Sequence, residues 1–189
     1  MEIEQEILEA VKTVKNGGLV LYPTDTVWGI GCDATNEQAV QKVFELKKRS
    51  GAKSLVLLAS DLDMVARYIK EIPPMAIDLV EVNDAPMTII YPGATGLAPS
   101  CVAEDGSVGI RIPLSDFCVR LVRRLGRPLV STSANISGQA TPSCFAEISP
   151  EVKEGVDYIF PQRFESGATG RASQIIKLGL RGEVEIIRK

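Results

Sequence analysis

Histidine does not occur among the 189 residues. Its absence removes Ser-His-Asp and Cys-His nucleophilic triads, HExxH zinc sites and His-carboxylate iron sites. An enzyme made from this chain works without imidazole, by positioning and charge stabilisation, as phosphoryl and nucleotidyl transfer enzymes do. Cysteine is sparse: Cys32, Cys101, Cys118 and Cys144, with no CxxC pair. That spacing fits no zinc ligand set and points to free thiols in a reducing compartment. No apolar run approaches the roughly 20 residues of a membrane span. The first residues carry Glu2, Glu4 and Glu6, unlike the basic start of a secretory signal. The expectation is a cytoplasmic protein with no membrane attachment. Neither GxxxxGK[ST] nor GxGxxG is found, so a nucleotide site here needs another design.

What is present describes an ordinary globular chain. Apolar residues make up 45% and charged residues 24%, enough for one domain with a real core. A net charge of −3 and a pI near 5.2 argue against a protein that wraps nucleic acid, yet leave room for a local basic groove.

Ile3, Ile7, Val11 and Val14 recur at helical spacing, and Asn16-Gly17-Gly18 stops that helix. Residues 19–22 read as a strand and residues 23–26 as a polar loop. Asn36 caps a second helix through Leu46. A strand over residues 54–59 precedes a helix capped by Ser60 or Asp61. Pro73-Pro74 breaks the chain before a helix ending near Val82. Strands follow at residues 87–91 and 108–112, with a Gly/Pro/Ala/Ser-rich stretch of residues 92–105 between them, read as a mobile loop. Ser115 or Asp116 caps a helix through Leu125, and residues 129–131 form a strand. Short strands at residues 158–160, 173–178 and 184–187 complete the chain, with a Gly-rich loop over residues 165–171. Helices and strands alternate early and short strands dominate late. This predicts an α/β (mixed α+β) fold, a single domain with a twisted sheet of parallel and antiparallel strands.

Five segments can carry chemistry. Tyr22-Pro23-Thr24-Asp25-Thr26-Val27-Trp28-Gly29 follows a buried strand. Its hydroxyls suit a small polar ligand with Trp28 as an apolar wall, or the segment is a plain turn with Trp28 in the core. Lys47-Lys48-Arg49, with Lys53 soon after, either complements a helix dipole or clamps a polyphosphate. Arg111 interrupts the apolar run of residues 108–113. It needs an anion, which is either a substrate carboxylate or a structural Asp or Glu, unless its strand faces water. Ser131-Thr132-Ser133-Ala134-Asn135-Ile136-Ser137-Gly138 follows an apolar strand with neutral donors suited to phosphate oxygens, or caps a turn. Gly167-Ala168-Thr169-Gly170-Arg171-Ala172-Ser173 permits close backbone approach, with Arg171 in reach of a phosphate, or is a flexible loop.

In this order the segments resemble the YrdC-like family of threonylcarbamoyl-AMP synthases, over residues 6–188. The most specific matches are residues 23–29, the Lys47-x-Arg49 pair with Lys53, residues 108–113 and residues 133–138. The resemblance implies one synthase domain over residues 1–189, ending without the extra C-terminal domain of longer relatives. It implies a twisted sheet around a large basic cavity. It further implies a nucleotidyltransferase that makes L-threonylcarbamoyl-AMP and pyrophosphate from L-threonine, bicarbonate or CO2, and ATP with Mg2+. The product then passes to a tRNA threonylcarbamoyl transferase complex acting at adenosine 37 of tRNAs that read ANN codons, and weak tRNA or double-stranded RNA binding is a further expectation. By position in the family motifs, Lys47 and Arg49 are the catalytic, phosphate-contacting pair. Lys53, Ser133, Asn135, Arg171 and Ser173 join them on the nucleotide. Thr24, Thr26, Trp28, Arg111 and Ser131 take the threonine side, Arg111 holding the carboxylate. Departures from the family pattern are Trp28 for tyrosine, Ser50 for proline, Gln174 for threonine, and Val82-Asn83-Asp84-Ala85-Pro86 for a tryptophan-proline-glycine-proline run. The alternatives are a paralogue with another carbamoyl or acyl-adenylate activity, and a structured-RNA-binding module.

Overall fold

The computed structural model describes residues 2–49 and 55–189. Lys53 and Ser50 lie outside the described residues. The chain opens with α1 (Glu2–Lys15), β1 (Val20–Tyr22), β2 (Gly29–Gly31) and α2 (Glu37–Leu46). It continues through β3 (Val56–Leu58), α3 (Leu62–Tyr68), α4 (Pro74–Val82), β4 (Met87–Tyr91), β5 (Val108–Arg111), α5 (Asp116–Leu125) and β6 (Leu129–Ser133). The last part holds α6 (Pro150–Glu154), β7 (Tyr158–Ile159), β8 (Gln174–Leu178) and β9 (Val184–Arg188).

Helix boundaries follow side-chain chemistry. The Asn36 side chain accepts from Ala39 N–H at the start of α2. Asp61 does the same for Met64 in α3 and Ser115 for Cys118 in α5, which decides both open choices of cap. Gly126 ends α5 in the left-handed conformation, as C-terminal glycines do. The longer helices bury apolar stripes: Ile7, Ala10, Val11 and Val14 of α1, and Cys118, Leu121, Val122 and Leu125 of α5.

Among the described residues the strands form one sheet in the order β7-β1-β2-β6-β3-β5-β4-β8-β9. The pairs β1–β7, β3–β5 and β4–β8 are parallel and the other neighbours antiparallel, the mixed sheet expected. β6 is the strand both halves share. It pairs β2 at Thr132 and Ser133 but β3 only over Leu129, Val130 and Ser131. Beyond Ser131 the strand pairs on one side only among the described residues, and Thr132 and Ser133 line a cavity.

Two expectations are corrected and one strand is added. Residues 132 and 133 are strand rather than loop, because β6 runs two residues further along β2. β2 itself was unforeseen. The sequence left residues 29–31 without an element, and a Cβ at Gly31 would sit 2.7 Å from the Tyr22 ring and from the Val130 carbonyl. Only glycine allows this strand to pass so close beneath Tyr22. Residues 92–105 are tied down rather than loose. Ala94, Thr95 and Ala98 N–H groups donate to Gly106, Tyr68 and Ala34 carbonyls, and Cys101 is fully buried. None of these residues borders the cavity.

Candidate nucleotide and amino-acid site

The cavity beside β6 has a volume of about 590 Å³. Its basic walls are Lys47, Lys48, Arg49, Arg111 and Arg188, and no carboxylate is among the described lining residues. Ser131, Thr132, Ser133, Asn135, Ser137 and Ser173 add neutral hydrogen-bonding groups, while Thr26, Trp28 and Gly29 close the side nearest β2.

One corner is built from the end of α2. Lys48 adopts a left-handed backbone, φ 51°, which folds the chain back so that Lys48 N–H reaches Glu45 O and Arg49 N–H reaches Phe44 O. This is the αL reversal of a helix end made without glycine. It places Lys47 and Arg49 on the same cavity wall. Lys47 is 3% exposed. Its ammonium donates to the carbonyls of Ser133 and Asn135 at 2.5 and 2.7 Å, and its own carbonyl accepts from Ser137 N–H at 2.8 Å. Burial, with a smaller push from Arg49, lowers the Lys47 pKa to about 8. Burial also lowers the Arg49 and Arg188 values. Charges held this way are poorly solvated before any ligand arrives, so an incoming anion meets an electrostatic field that water has not cancelled.

The hydroxyl ledge follows from the end of β6. Asn135 turns its Nδ2 to the Ile136 and Gln139 carbonyls, and its buried Oδ1 has no protein partner among the described residues. Trp28 is 2% exposed and packs against Phe145 with ring centroids 4.9 Å apart. It serves as core and as cavity wall at once, and its indole Nε1 is likewise buried without a protein partner among the described residues.

The opposite corner centres on Arg111. Its Nη1 donates to Asp25 Oδ1 at 2.6 Å and its Nη2 to Thr26 Oγ1 at 3.4 Å. Asp25 Oδ2 accepts from Leu114 N–H at 3.1 Å. Of the readings open for Arg111, the structure realises an internal ion pair, and the same guanidinium still borders the cavity.

The site residues expected from the sequence divide clearly. Lys47, Arg49, Ser133, Asn135, Ser173, Thr26, Trp28, Arg111 and Ser131 meet on one cavity. Thr24 and Arg171 are not among its lining residues. Thr24 is buried in the turn, donating to the Val27 carbonyl at 2.6 Å and accepting from Thr26 N–H. Arg171 is exposed, on a loop pinned to the same turn by Thr169 N–H to Asp25 O and Gly170 N–H to Thr26 O. The Ser173 hydroxyl pairs with that of Thr88 at 2.7 Å. Sequence reasoning passed over Arg188, whose Nε donates to Ser173 O at 2.9 Å. Local pattern carries little signal for it: Arg188 sits beside Lys189 on an exposed strand that also holds Glu185.

Comparison with known proteins gives these features a lineage. The profile of the Sua5–YciO–YrdC family, described as telomere recombination, matches residues 12–189. A threonylcarbamoyl-AMP synthase of Idiomarina loihiensis is 31% identical over 171 residues, covering 89% of this chain and 91% of that protein. One from Stenotrophomonas maltophilia is 33% identical over 168 residues, covering 87% and 88%. The crystal structure of P. abyssi Sua5 complexed with L-threonine superposes with a TM-score of 0.83 at 26% identity, over 91% of this chain. The match takes in 50% of that longer protein. With the family profile spanning nearly the whole sequence and the same fold carrying the cavity, the chain belongs to the Sua5–YciO–YrdC family.

Proposed function

We propose that the protein is an L-threonylcarbamoyl-AMP synthase, joining L-threonine, bicarbonate or CO2, and ATP into threonylcarbamoyl-AMP with release of pyrophosphate. The observation that carries this reading is the cavity itself: five basic side chains and a ledge of hydroxyls, with no carboxylate among its described lining residues. Relatives named for this activity support it.

The chemistry suits a protein with no histidine. Once the threonine amine has captured CO2, the carbamate oxygen is already an anionic nucleophile. It attacks the α-phosphorus, the bond to the β-phosphate oxygen breaks, and pyrophosphate leaves. The barrier lies in bringing anions together and in charge growing on the leaving group, and fixed cations lower both. Lys47 and Arg49 serve the phosphates, with Lys53 as a further cation, Ser133, Asn135 and Ser173 as neutral ligands, and Arg171, exposed on the late loop, as a cation that a bound nucleotide would draw toward it. Arg111 takes the threonine carboxylate, with Thr26, Ser131 and Trp28 around the rest of the amino acid and Thr24 shaping the turn behind them. No cluster of three or more Cys, Asp or Glu that could hold a metal occurs among the described residues. The lining hydroxyls of Ser131, Thr132, Ser133 and Ser173 are hard oxygen donors that would suit a Mg2+ carried in on the triphosphate, where the ion would offset phosphate charge.

The product is a reactive mixed anhydride. A tRNA threonylcarbamoyl transferase complex is its destination, for adenosine 37 of tRNAs reading ANN codons, and the basic cavity rim gives weak affinity for tRNA or double-stranded RNA. Among the described residues no helix is long and apolar enough to cross a membrane, and we assign the protein to the cytoplasm.

The test is pyrophosphate release with product mass spectrometry, using ATP, Mg2+ and bicarbonate, with and without L-threonine. Threonine-dependent pyrophosphate and a threonylcarbamoyl-AMP mass are expected. ATP turnover indifferent to threonine would fit a paralogue with another carbamoyl or acyl-adenylate activity and overturn the proposal.

A further inference from the structure

A cavity with five cations attracts a triphosphate at every one of them. A site for both a triphosphate and a small zwitterion has to keep the two apart. Two of the five are paired with carboxylates: Lys48 with Glu151 in an exposed pair, and Arg111 with Asp25 in a buried one. Lys47 and Arg188 are held by neutral carbonyl oxygens, which bring no counter-charge. Arg111 is compensated by a carboxylate: Asp25 Oδ1 lies 2.6 Å from its Nη1, and the two residues are only 8% and 4% exposed.

Asp25 does not itself line the cavity. Its second carboxylate oxygen is taken by Leu114 N–H and its main-chain carbonyl by Thr169 N–H. The turn between β1 and β2, the segment after β5 and the late glycine loop thus hold it from three sides. It is locked out of contact with a ligand and acts on one only through Arg111.

We propose that Asp25 is a positioning residue that sets specificity at the amino-acid end of the cavity. By cancelling the charge of Arg111 and fixing its guanidinium, it lets that corner accept an amino-acid carboxylate and refuse a phosphate group. The inference rests on the reading of Arg111 as the carboxylate-binding residue. A zwitterion carries no net charge and gains from directed N–H donors, of which the guanidinium fork has five. A phosphate dianion loses more hydration on entry and needs uncompensated positive charge to offset it. With Asp25 in place, such charge is offered by Lys47 and Arg188, which neutral carbonyls hold. The triphosphate is therefore directed there, and the amino-acid corner stays open.

The experiment is calorimetric titration with L-threonine, without ATP, in the presence and absence of inorganic phosphate. In the wild type, millimolar phosphate should leave the threonine Kd unchanged. In Asp25→Asn, which keeps the size of the side chain and removes its charge, threonine should bind about tenfold more weakly and phosphate should become a competitor. Asp25→Glu, which keeps the charge and displaces it, should weaken threonine yet still exclude phosphate, and it serves as the deciding variant if Asp25→Asn does not fold. Phosphate competition in the wild type or in Asp25→Glu overturns the charge argument, as does its absence in a folded Asp25→Asn. A wild type that binds no threonine would overturn the role given to Arg111, a failure visible before any variant is compared and separate from the pyrophosphate assay.

Discussion

Lys47 is fastened to Ser133: its ammonium donates to that carbonyl at 2.5 Å, and to the next-but-one carbonyl, Asn135, at 2.7 Å. One side chain thereby ties the end of α2 to the end of β6, the two elements that present most of the phosphate-side groups. The arrangement strains the lysine's solvation, and burial brings its pKa down to about 8 from 10.5. The consequence for stability has a definite sign. Below about pH 8 Lys47 is charged in folded and unfolded chains alike, and folding bears the full desolvation of the ammonium. Between about pH 8 and 10.5 the unfolded chain binds the extra proton, so this residue's contribution to stability rises with pH. Urea unfolding of wild type and Lys47→Met at pH 7, 8 and 9 measures it. The difference between the two proteins should move in favour of the wild type as pH increases; a pH-independent difference would remove the burial effect. Polyphosphate binding near pH 8 should also draw a proton onto Lys47, visible as buffer-dependent binding enthalpy that Lys47→Met abolishes.

Arg49 lies on the same wall, with its pKa pressed down by burial. Its guanidinium also stands 5.8 Å from the Phe44 ring, which restrains its path across the cavity mouth. Arg49→Ala should cost about 2–4 kcal/mol of barrier in pyrophosphate release through lost charge stabilisation. A thermal midpoint close to wild type would separate that loss from misfolding. A turnover rate near that of the wild type would take Arg49 out of the reaction.

Arg111 and Asp25 predict a non-additive pair. Removing Arg111 alone leaves a buried carboxylate with its Leu114 contact but without its cation. Breaking one side of a buried pair costs about 3–5 kcal/mol. Arg111→Ala should therefore be markedly unstable and should raise the threonine requirement far more than that for ATP. The double variant Arg111→Ala/Asp25→Ala should recover part of the stability and none of the threonine affinity. Equal effects on threonine and ATP would mean that Arg111 only holds the fold together.

Much of this site was legible in the sequence because its chemistry sits at ends of elements that announce themselves. Apolar strands ending in hydroxyls gave residues 131–137, and a lone arginine in an apolar strand gave Arg111. What was hidden depended on contacts between distant segments. β2 exists because two glycines slide under Tyr22, and no local pattern marks that. Asp25 was visible as an acid on a turn, but not as the counter-charge of a residue 86 positions away. Residues 92–105 have the composition of a loose loop, yet their backbone groups are satisfied by Ala34, Tyr68 and Gly106. Thr24 and Arg171 come from motif position alone: neither is among the described lining residues, Thr24 being buried in the turn and Arg171 exposed on the late loop.

Lys48 carries the last prediction. Its φ of 51° is the left-handed region, where a Cβ carries a steric cost of about 1 kcal/mol that glycine escapes. Its side chain reaches Glu151 at 2.6 Å, an exposed pair worth at most about 1 kcal/mol. Comparing two variants separates the effects, since Lys48→Ala and Lys48→Gly both delete the pair and only glycine relieves the backbone. Lys48→Gly should be more stable than Lys48→Ala by about 1 kcal/mol, read as a higher denaturation midpoint at unchanged slope. Turnover should separate the two in the opposite direction if the αL turn serves to aim its neighbours: alanine retains the limited backbone freedom that fixes Lys47 and Arg49, whereas glycine lets the turn relax. A less stable glycine variant would show that the reversal at Lys48 is not strained, and that its conformation is set by the packing of Lys47 rather than held against a local cost.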